Sequence, residues 1–124
     1  MSRKVFLIDD ADFMIDMIRM ILEGEGHKVI GSEVDGLRAL GRLRELADGG
    51  ARVDIVLVDL HMPKLDGFDT IAQLRRILPA AKILLVSADS ARSVAMRARE
   101  LNVDGFVVKP FEPEVLIETI SKLG

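Results

Sequence analysis

The sequence predicts a doubly wound α/β fold, in which helices cover both faces of a five-stranded parallel sheet. Short apolar runs of strand length alternate five times with longer stretches of helical spacing. The runs are rich in Val, Ile and Leu, which is typical of strands that are buried on both faces. A length of 124 residues fits one domain, and 49% apolar with 30% charged residues fits a packed core under a solvated surface.

The strands follow from five apolar runs, taken in chain order. The first and fourth runs, VFLI and ILLV, are unbroken, the third contains one acid, and the second is the weakest. Strands are therefore expected over residues 5–8, 28–30, 53–58, 83–86 and 106–108.

The helices follow from the longer stretches between these runs. They are expected over residues 12–23, 36–47, 68–78, 91–101 and 113–123. Ser90 is predicted to cap the fourth helix, and Pro113 suits the first turn of the fifth. Leu78 and Pro79 close the third helix, because proline disfavours helical backbone in the residue before it.

The composition excludes several classes of protein. A net charge of −3 gives no overall attraction for nucleic acid or an anionic membrane, and with no cysteine there is no disulfide or thiolate metal site. No apolar run approaches the roughly 18 residues that a membrane span requires, and the N-terminal apolar run is too short for a signal peptide. We expect a cytoplasmic protein without a membrane partner and without direct nucleic-acid binding.

Reactive side chains collect at one edge of the predicted sheet. Strand one ends in Asp9 and Asp10, strand three in Asp59, strand four in Ser87, and strand five in Lys109. Ligands of open parallel sheets bind outside the carboxyl ends of the strands, near the point where strand order reverses. Three carboxylates, a hydroxyl and an ammonium are therefore predicted to meet at one site.

The clustered acids favour a hard divalent cation. Three carboxylates repel one another unless a cation or a proton intervenes. Mg²⁺ prefers oxygen ligands and commonly uses one or two carboxylates plus a phosphate, which fits a chain without cysteine or convergent histidines. Lys109 would then pair with phosphate oxygens and Ser87 would donate a hydrogen bond to the same group. Asp59, on the central strand, is the leading candidate for a carboxylate nucleophile.

Four motifs resemble the signature of the response regulator receiver domain family, as found in stand-alone chemotaxis-type regulators. In order they are IDD at residues 8–10, DLHMPKLDG at 59–67, SA at 87–88 and KPF at 109–111. Each is weak alone, but together they stand at the ends of the expected strands and extend over essentially the whole chain. The resemblance implies a flavodoxin-like (βα)5 fold over residues 1–124, with no appended output domain within this sequence.

The resemblance also implies a mechanism. Asp59 takes a phosphoryl group from a phosphohistidine on a sensor histidine kinase or a histidine phosphotransfer protein. Asp10 and Asp59 bind Mg²⁺ directly together with the backbone carbonyl of His61, whereas Asp9 acts largely through water. An imidazole ligand or general base at His61 is the less favoured interpretation.

The resemblance further implies a conformational switch. Ser87 and Phe106 are similar to the family's switch pair, in which the hydroxyl moves to the phosphoryl group and the aromatic ring turns inward. Phe106 has no phenol hydroxyl, so the hydrogen bond that a tyrosine would make there is absent. The output is expected to be binding of a downstream protein.

Three functions compete at this point. The first is a signalling module that catalyses its own phosphorylation and dephosphorylation without turning over an external substrate. The second is a phosphorylation-independent adaptor, which would not need this cluster of acids. The third is a phosphatase with an aspartyl-phosphate intermediate. Such enzymes usually need a second acid two residues after the nucleophile, where this chain has His61. They also usually need a substrate-covering cap, for which 124 residues leave no room.

The first helix carries an apolar excess. At about 100° per residue, one sector is expected to pack on the sheet. Its members are Met14, Met17, Ile18, Ile21 and Leu22. Phe13 and Met20 flank this sector, and either pack against the fifth helix or form an exposed strip that receives the phosphohistidine partner.

Overall fold

Strands and helices alternate along the chain in the predicted order. The computed structural model describes residues 2–123, so the two ends of the predicted domain, Met1 and Gly124, lie outside the described residues. The strands are β1 Lys4–Ile8, β2 Lys28–Glu33, β3 Ile55–Asp59, β4 Lys82–Ser87 and β5 Gly105–Val108. The helices are α1 Asp12–Gly24, α2 Gly36–Asp48, α3 Gly67–Ile77, α4 Arg92–Glu100 and α5 Pro113–Lys122.

The strands form one parallel sheet in the order β2-β1-β3-β4-β5. The chain first moves outward from β1 to β2 and then crosses back to β3, so strand order reverses between β1 and β3. This reversal leaves a crevice outside the carboxyl ends of these two strands. The doubly wound, flavodoxin-like fold is therefore confirmed.

Each face of the sheet is covered by its own set of helices. One buried cluster joins Phe6 and Ile8 of β1 to residues of α2, α3 and α4, and the other joins Val5 and Leu7 to residues of α1 and α5. All of β3 is buried, as expected for a central strand that is covered on both faces. Burying one such Val, Leu or Phe side chain contributes about 1.5–3 kcal/mol, so this core fixes the positions of the strand ends.

Most differences from the predicted elements are at their boundaries. β2 runs to Glu33 rather than to residue 30, because an edge strand tolerates the polar side chains of Ser32 and Glu33. The predicted Ser90 cap is wrong. α4 begins after Ala91, whose N–H donates to the carboxylate of Asp89 at 2.9 Å.

The helix ends marked by proline agree with the structure. Pro113 lies in the first turn of α5, and Leu78 is the C-cap residue that follows α3.

Among residues 2–123, no helix combines the length and the apolar character that a membrane crossing requires.

One side of α1 is apolar and open to solvent. Phe13 is 72% exposed, Met20 is 75% exposed, and Met17 is 39% exposed. The prediction that Met17 packs on the sheet is wrong, because Ile15 occupies the buried sector instead. Packing of Phe13 and Met20 against α5 is also wrong. We call the set Phe13, Met17 and Met20 the α1 strip.

Candidate functional site

The three predicted carboxylates come together at the switch point of the sheet. Asp9 and Asp10 follow the last residue of β1, and Asp59 is the last residue of β3. One oxygen from each of the three carboxylates lies within 4.8 Å of the other two. Asp9 and Asp59 are buried, whereas Asp10 is exposed. The cluster therefore has a closed inner side and an open outer side.

Lys109 bridges the two buried acids. It follows β5 directly, and its Nζ lies 2.7 Å from Asp9 Oδ2 and 3.4 Å from Asp59 Oδ1. Burial disfavours the ammonium, but the hydrogen bond to Asp9 and the charges of Asp9 and Asp59 outweigh it and raise the pKa of Lys109. Lys109 is therefore charged and acts as an internal counter-ion of the site.

The electrostatics of Asp59 differ from those of an ordinary surface acid. Burial and the neighbouring charge of Asp9 raise the pKa of Asp59 from 3.8 to about 6, although Lys109 opposes the shift. Asp10 adds a smaller contribution of the same sign as Asp9. A cation placed among these carboxylates would favour the ionised, nucleophilic form of Asp59.

Ser87 and Phe106 lie on the same face of the sheet. Phe106 is the register partner of Leu85, and Ser87 comes two residues after Leu85, so side-chain alternation places them on one side. Ser87 is fully buried, and its Oγ accepts a hydrogen bond from the N–H of Asp89 at 2.9 Å. Phe106 is partly buried beside the cluster that includes α4.

His61 points its imidazole at a neighbouring loop. Its Nε2 lies 3.7 Å from Asp89 Oδ2, and both side chains are partly open to solvent. The imidazole is not a member of the carboxylate cluster found among residues 2–123. The predicted contribution of His61 through its backbone carbonyl stays a prediction. Asp89 was missed by the sequence analysis, since no strand-end or capping pattern marks it.

The loop after Asp59 is held from two sides. Gly67 opens α3 beside Asp59, and a Cβ there would lie 2.5 Å from the Asp59 carbonyl oxygen. On the other side, the buried Asp35 caps α2 and its Oδ2 lies 3.8 Å from Nζ of Lys64. Gly67 belongs to the motif at residues 59–67, but its close packing on Asp59 was not predicted. The Asp35 cap was missed, although an Asp-Gly pair before a helical stretch is a recognisable capping pattern at Asp35 and Gly36.

Fold and site together define a class of protein. It is the class of doubly wound α/β proteins that carry an acidic site with a lysine and a hydroxyl at the switch point of the sheet. The family model described as the response regulator receiver domain matches residues 5–121. The chain therefore belongs to the response regulator receiver domain family. Members of this family are phosphorylated on an aspartate and bind Mg²⁺ at an acidic pocket.

Comparison with curated relatives shows which receiver domains this chain is similar to. The chain is 33% identical to the chemotaxis protein CheY of Thermotoga maritima over 124 residues, covering 100% of this chain and 99% of that protein. It is 30% identical to CheY of Bacillus subtilis, covering 98% of each. The chain is thus a CheY-like receiver domain, a signalling protein of the two-component type.

Solved structures agree on the fold. A high-resolution structure of CheY4 from Vibrio cholerae matches with a TM-score of 0.87 at 25% identity, covering 100% of both chains. The CheX-CheY-BeF3-Mg complex from Borrelia burgdorferi matches with a TM-score of 0.88 at 23% identity, covering 95% of this chain and 86% of that chain. At that identity the second likeness concerns the fold alone.

Proposed function

We propose that residues 1–124 form one receiver domain that accepts a phosphoryl group on Asp59 in a Mg²⁺-dependent reaction. The observation that carries this proposal is the position of Asp59. Its carboxylate is buried at the end of the central strand, beside Asp9 and Asp10 and 3.4 Å from the Lys109 ammonium. A nucleophile, ligands for a hard cation and a partner for phosphate oxygens thus stand within reach of one reacting group.

The donor set fits Mg²⁺. Asp10 and Asp59 would supply carboxylate oxygens, the backbone carbonyl of His61 would supply a third oxygen, and Asp9 would act through water. All of these ligands are oxygens, which Mg²⁺ prefers, and the exposed side of the cluster at Asp10 leaves space for the waters that it retains. When bound, the ion neutralises charge that develops on the phosphoryl oxygens.

The chain's own residues carry out the transfer. An oxygen of Asp59 attacks phosphorus, and the bond from phosphorus to the donor imidazole breaks, so the electron pair returns to that nitrogen. Lys109 moves from Asp9 and Asp59 toward the phosphoryl oxygens. Attack by water on phosphorus later restores the carboxylate and releases phosphate. The domain thereby catalyses its own phosphorylation and dephosphorylation and turns over no other substrate.

Ser87 and Phe106 make the switch. The Ser87 hydroxyl accepts a hydrogen bond from Asp89 and can donate its own hydrogen to a phosphoryl oxygen on Asp59. Movement of the hydroxyl opens space for the partly buried Phe106 ring to turn inward. This changes the surface near α4 and β5, where a downstream protein binds.

The phosphodonor docks on the α1 strip. α1 begins at Asp12, directly after the acid pair, so a helical partner lying on Phe13, Met17 and Met20 would reach the site. The partner is a sensor histidine kinase or a histidine phosphotransfer protein. The protein works in the cytoplasm, without a membrane or nucleic acid as a direct partner.

One experiment separates the competing functions. The protein is incubated with a small phosphodonor and Mg²⁺, and both bound and released phosphate are measured. A receiver takes up one phosphoryl group per chain and releases it slowly, an adaptor takes up none, and a phosphatase releases many equivalents. Either of the last two results overturns the proposal.

A further inference from the structure

A second polar site lies at the N-terminal ends of the strands, on the side of the sheet opposite to the acid cluster at their carboxyl ends. A cavity of about 390 Å³ opens below the first residues of β3 and β4, beside the end of α5. Its charged lining consists of Arg3, Arg52, Asp54 and Lys82, with Leu123 along one wall. None of these residues takes part in the phosphoacceptor site.

Among residues 2–123, Asp54 supplies the one carboxylate that lines this cavity, and it is already engaged. Asp54 Oδ2 accepts the N–H of Lys4 at 2.8 Å, and Asp54 Oδ1 lies 3.2 Å from Nε of Arg52. Within residues 2–123, neither Arg3 nor Lys82 has a carboxylate as an ion-pair partner. The described lining residues thus comprise three cations and one anion, which leaves two positive charges in excess.

Arg3 and Lys82 reach the cavity from the same face of the sheet. Val5 and Lys82 both have Ile55 as a register partner, so β1 and β4 flank β3 at this edge. Neighbouring strands are about 4.8 Å apart, which sets the two backbones about 10 Å apart. Arg3 donates a hydrogen bond to the carbonyl of Ile120, so its side chain extends toward α5. Lys82 shares this face by alternation with Leu84, which packs in the same cluster as Ile120.

We propose that this cavity binds a small organic dianion, either a phosphate monoester or a dicarboxylate. Lys82 pairs with one end of the ligand, and the guanidinium of Arg3, which fits carboxylate and phosphate oxygens, pairs with the other. The volume lies at the lower end of the roughly 300–1,000 Å³ range of small-molecule sites. The two positive charges in excess match a doubly charged anion, and Asp54 keeps its existing partners.

The site lies at the start of the strands that end in the phosphoacceptor residues. β3 runs from Ile55 to Asp59, and β4 runs from Lys82 to Ser87. A ligand held by Lys82 would therefore contact the sheet one strand length from Asp59. The proposal does not depend on phosphorylation of Asp59, and its test uses neither Mg²⁺ nor a phosphodonor.

Amide NMR titration of the whole chain tests the proposal. Methyl phosphate and succinate are the dianionic probes, and acetate is the singly charged probe. We expect saturable shifts at the amides of Arg3, Asp54, Lys82 and Leu123, with at least one dianion binding more tightly than acetate. Lys82→Gln should weaken that binding about tenfold or more, because a charge-assisted hydrogen bond is lost.

Lys28→Gln is the matched control. Lys28 is the exposed first residue of β2, so it removes the same charge at the same edge of the sheet without lining the cavity. It should change affinity by no more than about twofold. Binding of methyl phosphate alone or of succinate alone assigns the ligand class. Equal loss in both variants, shifts that centre on Lys109, or no saturable shifts with either dianion would overturn the proposal.

Discussion

At the scale of single residues, the site is a balance of charges around Asp59. Two buried carboxylates would repel strongly, and the Lys109 ammonium compensates both of them. The compensation of Asp59 is incomplete, since its pKa is raised to about 6. Without metal, the ionised carboxylates therefore still repel one another, and a bound cation would reduce this repulsion.

The raised pKa of Asp59 predicts a pH dependence of stability. A pKa of about 6 in the folded state against 3.8 in the unfolded state means that the folded chain binds the proton more tightly. The stabilisation is fully present below pH 3.8 and is lost as pH rises through about 6. A pKa difference of this size is worth about 3 kcal/mol.

Comparison with Asp59→Asn isolates this contribution from those of other acids. We compare the free energies of unfolding of the wild type and the variant, both measured without Mg²⁺. The difference, wild type minus variant, should fall by about 3 kcal/mol as pH rises through this range. Denaturant unfolding at a series of pH values gives the difference directly. A difference that is independent of pH would refute the raised pKa.

Removing Lys109 should destabilise the metal-free domain. Lys109→Ala leaves Asp9 and Asp59 without their shared cation, which costs about 2 kcal/mol or more in the free energy of unfolding. Labelling by a small phosphodonor should also become slower, although Asp59 is still present. Lys122→Ala, which removes an exposed pair with Glu118, should have little effect on either measurement. Equal stability of Lys109→Ala and the wild type would mean that the bridge contributes nothing.

At the scale of elements, the loop between β3 and α3 is positioned by close backbone packing. The Cβ of an alanine at Gly67 would lie 2.5 Å from the Asp59 carbonyl oxygen and 2.7 Å from Cα of Leu60, both of which are backbone atoms. The first turn of α3 can lie this near only if residue 67 has no side chain. Its packing therefore helps to fix the nucleophile.

Substitution of Gly67 should therefore damage both fold and site. Gly67→Ala is expected to lower the free energy of unfolding by about 1–3 kcal/mol and to slow phosphorylation of Asp59. Gly24→Ala is the matched control, because a Cβ at the end of α1 meets nothing within 4 Å. It should be neutral or stabilise by up to about 1 kcal/mol. Indistinguishable unfolding curves for the two variants would contradict the close approach at Gly67.

The α1 strip gives a second prediction at this scale. Met20→Lys, or Phe13→Ser, should impair phosphoryl transfer from the cognate phosphohistidine partner and spare labelling by a small phosphodonor, because both side chains are already exposed. Met96→Lys alters another exposed methionine, on α4, and should leave transfer unchanged. Transfer rates and small-donor labelling are measured side by side. Equal loss of both reactions would point to damaged folding, and unchanged transfer would remove the strip from the docking surface.

At the scale of the whole molecule, the sequence predicted what depends on periodicity and strand order. Five apolar runs predicted the sheet, and the sheet brings Asp9, Asp10, Asp59, Ser87 and Lys109 to one edge. The remaining features depend on loop geometry and helix rotation, which single-sequence patterns do not encode.

Three differences illustrate that limit. The sequence predicted a Ser90 cap, but no side chain caps α4, and the Asp89 carboxylate accepts the N–H of Ala91 just before the helix. Met17 and Ile15 are both apolar, and only the rotation of α1 on the sheet decides that Ile15 is buried. The sequence did not predict that β2 continues to Glu33, because an edge strand needs no continuous apolar run.

Phosphoryl uptake by Asp59 tests most directly whether this residue is the phosphoacceptor. The wild type and Asp59→Asn are incubated with a small phosphodonor and Mg²⁺, and their intact masses are measured before and after treatment with hydroxylamine. Asp66→Asn serves as control, since asparagine can still cap α3 on the same loop. We expect one hydroxylamine-sensitive phosphoryl group on the wild type and on Asp66→Asn, and none on Asp59→Asn. Uptake by Asp59→Asn at the wild-type rate would show that Asp59 is not the phosphoacceptor.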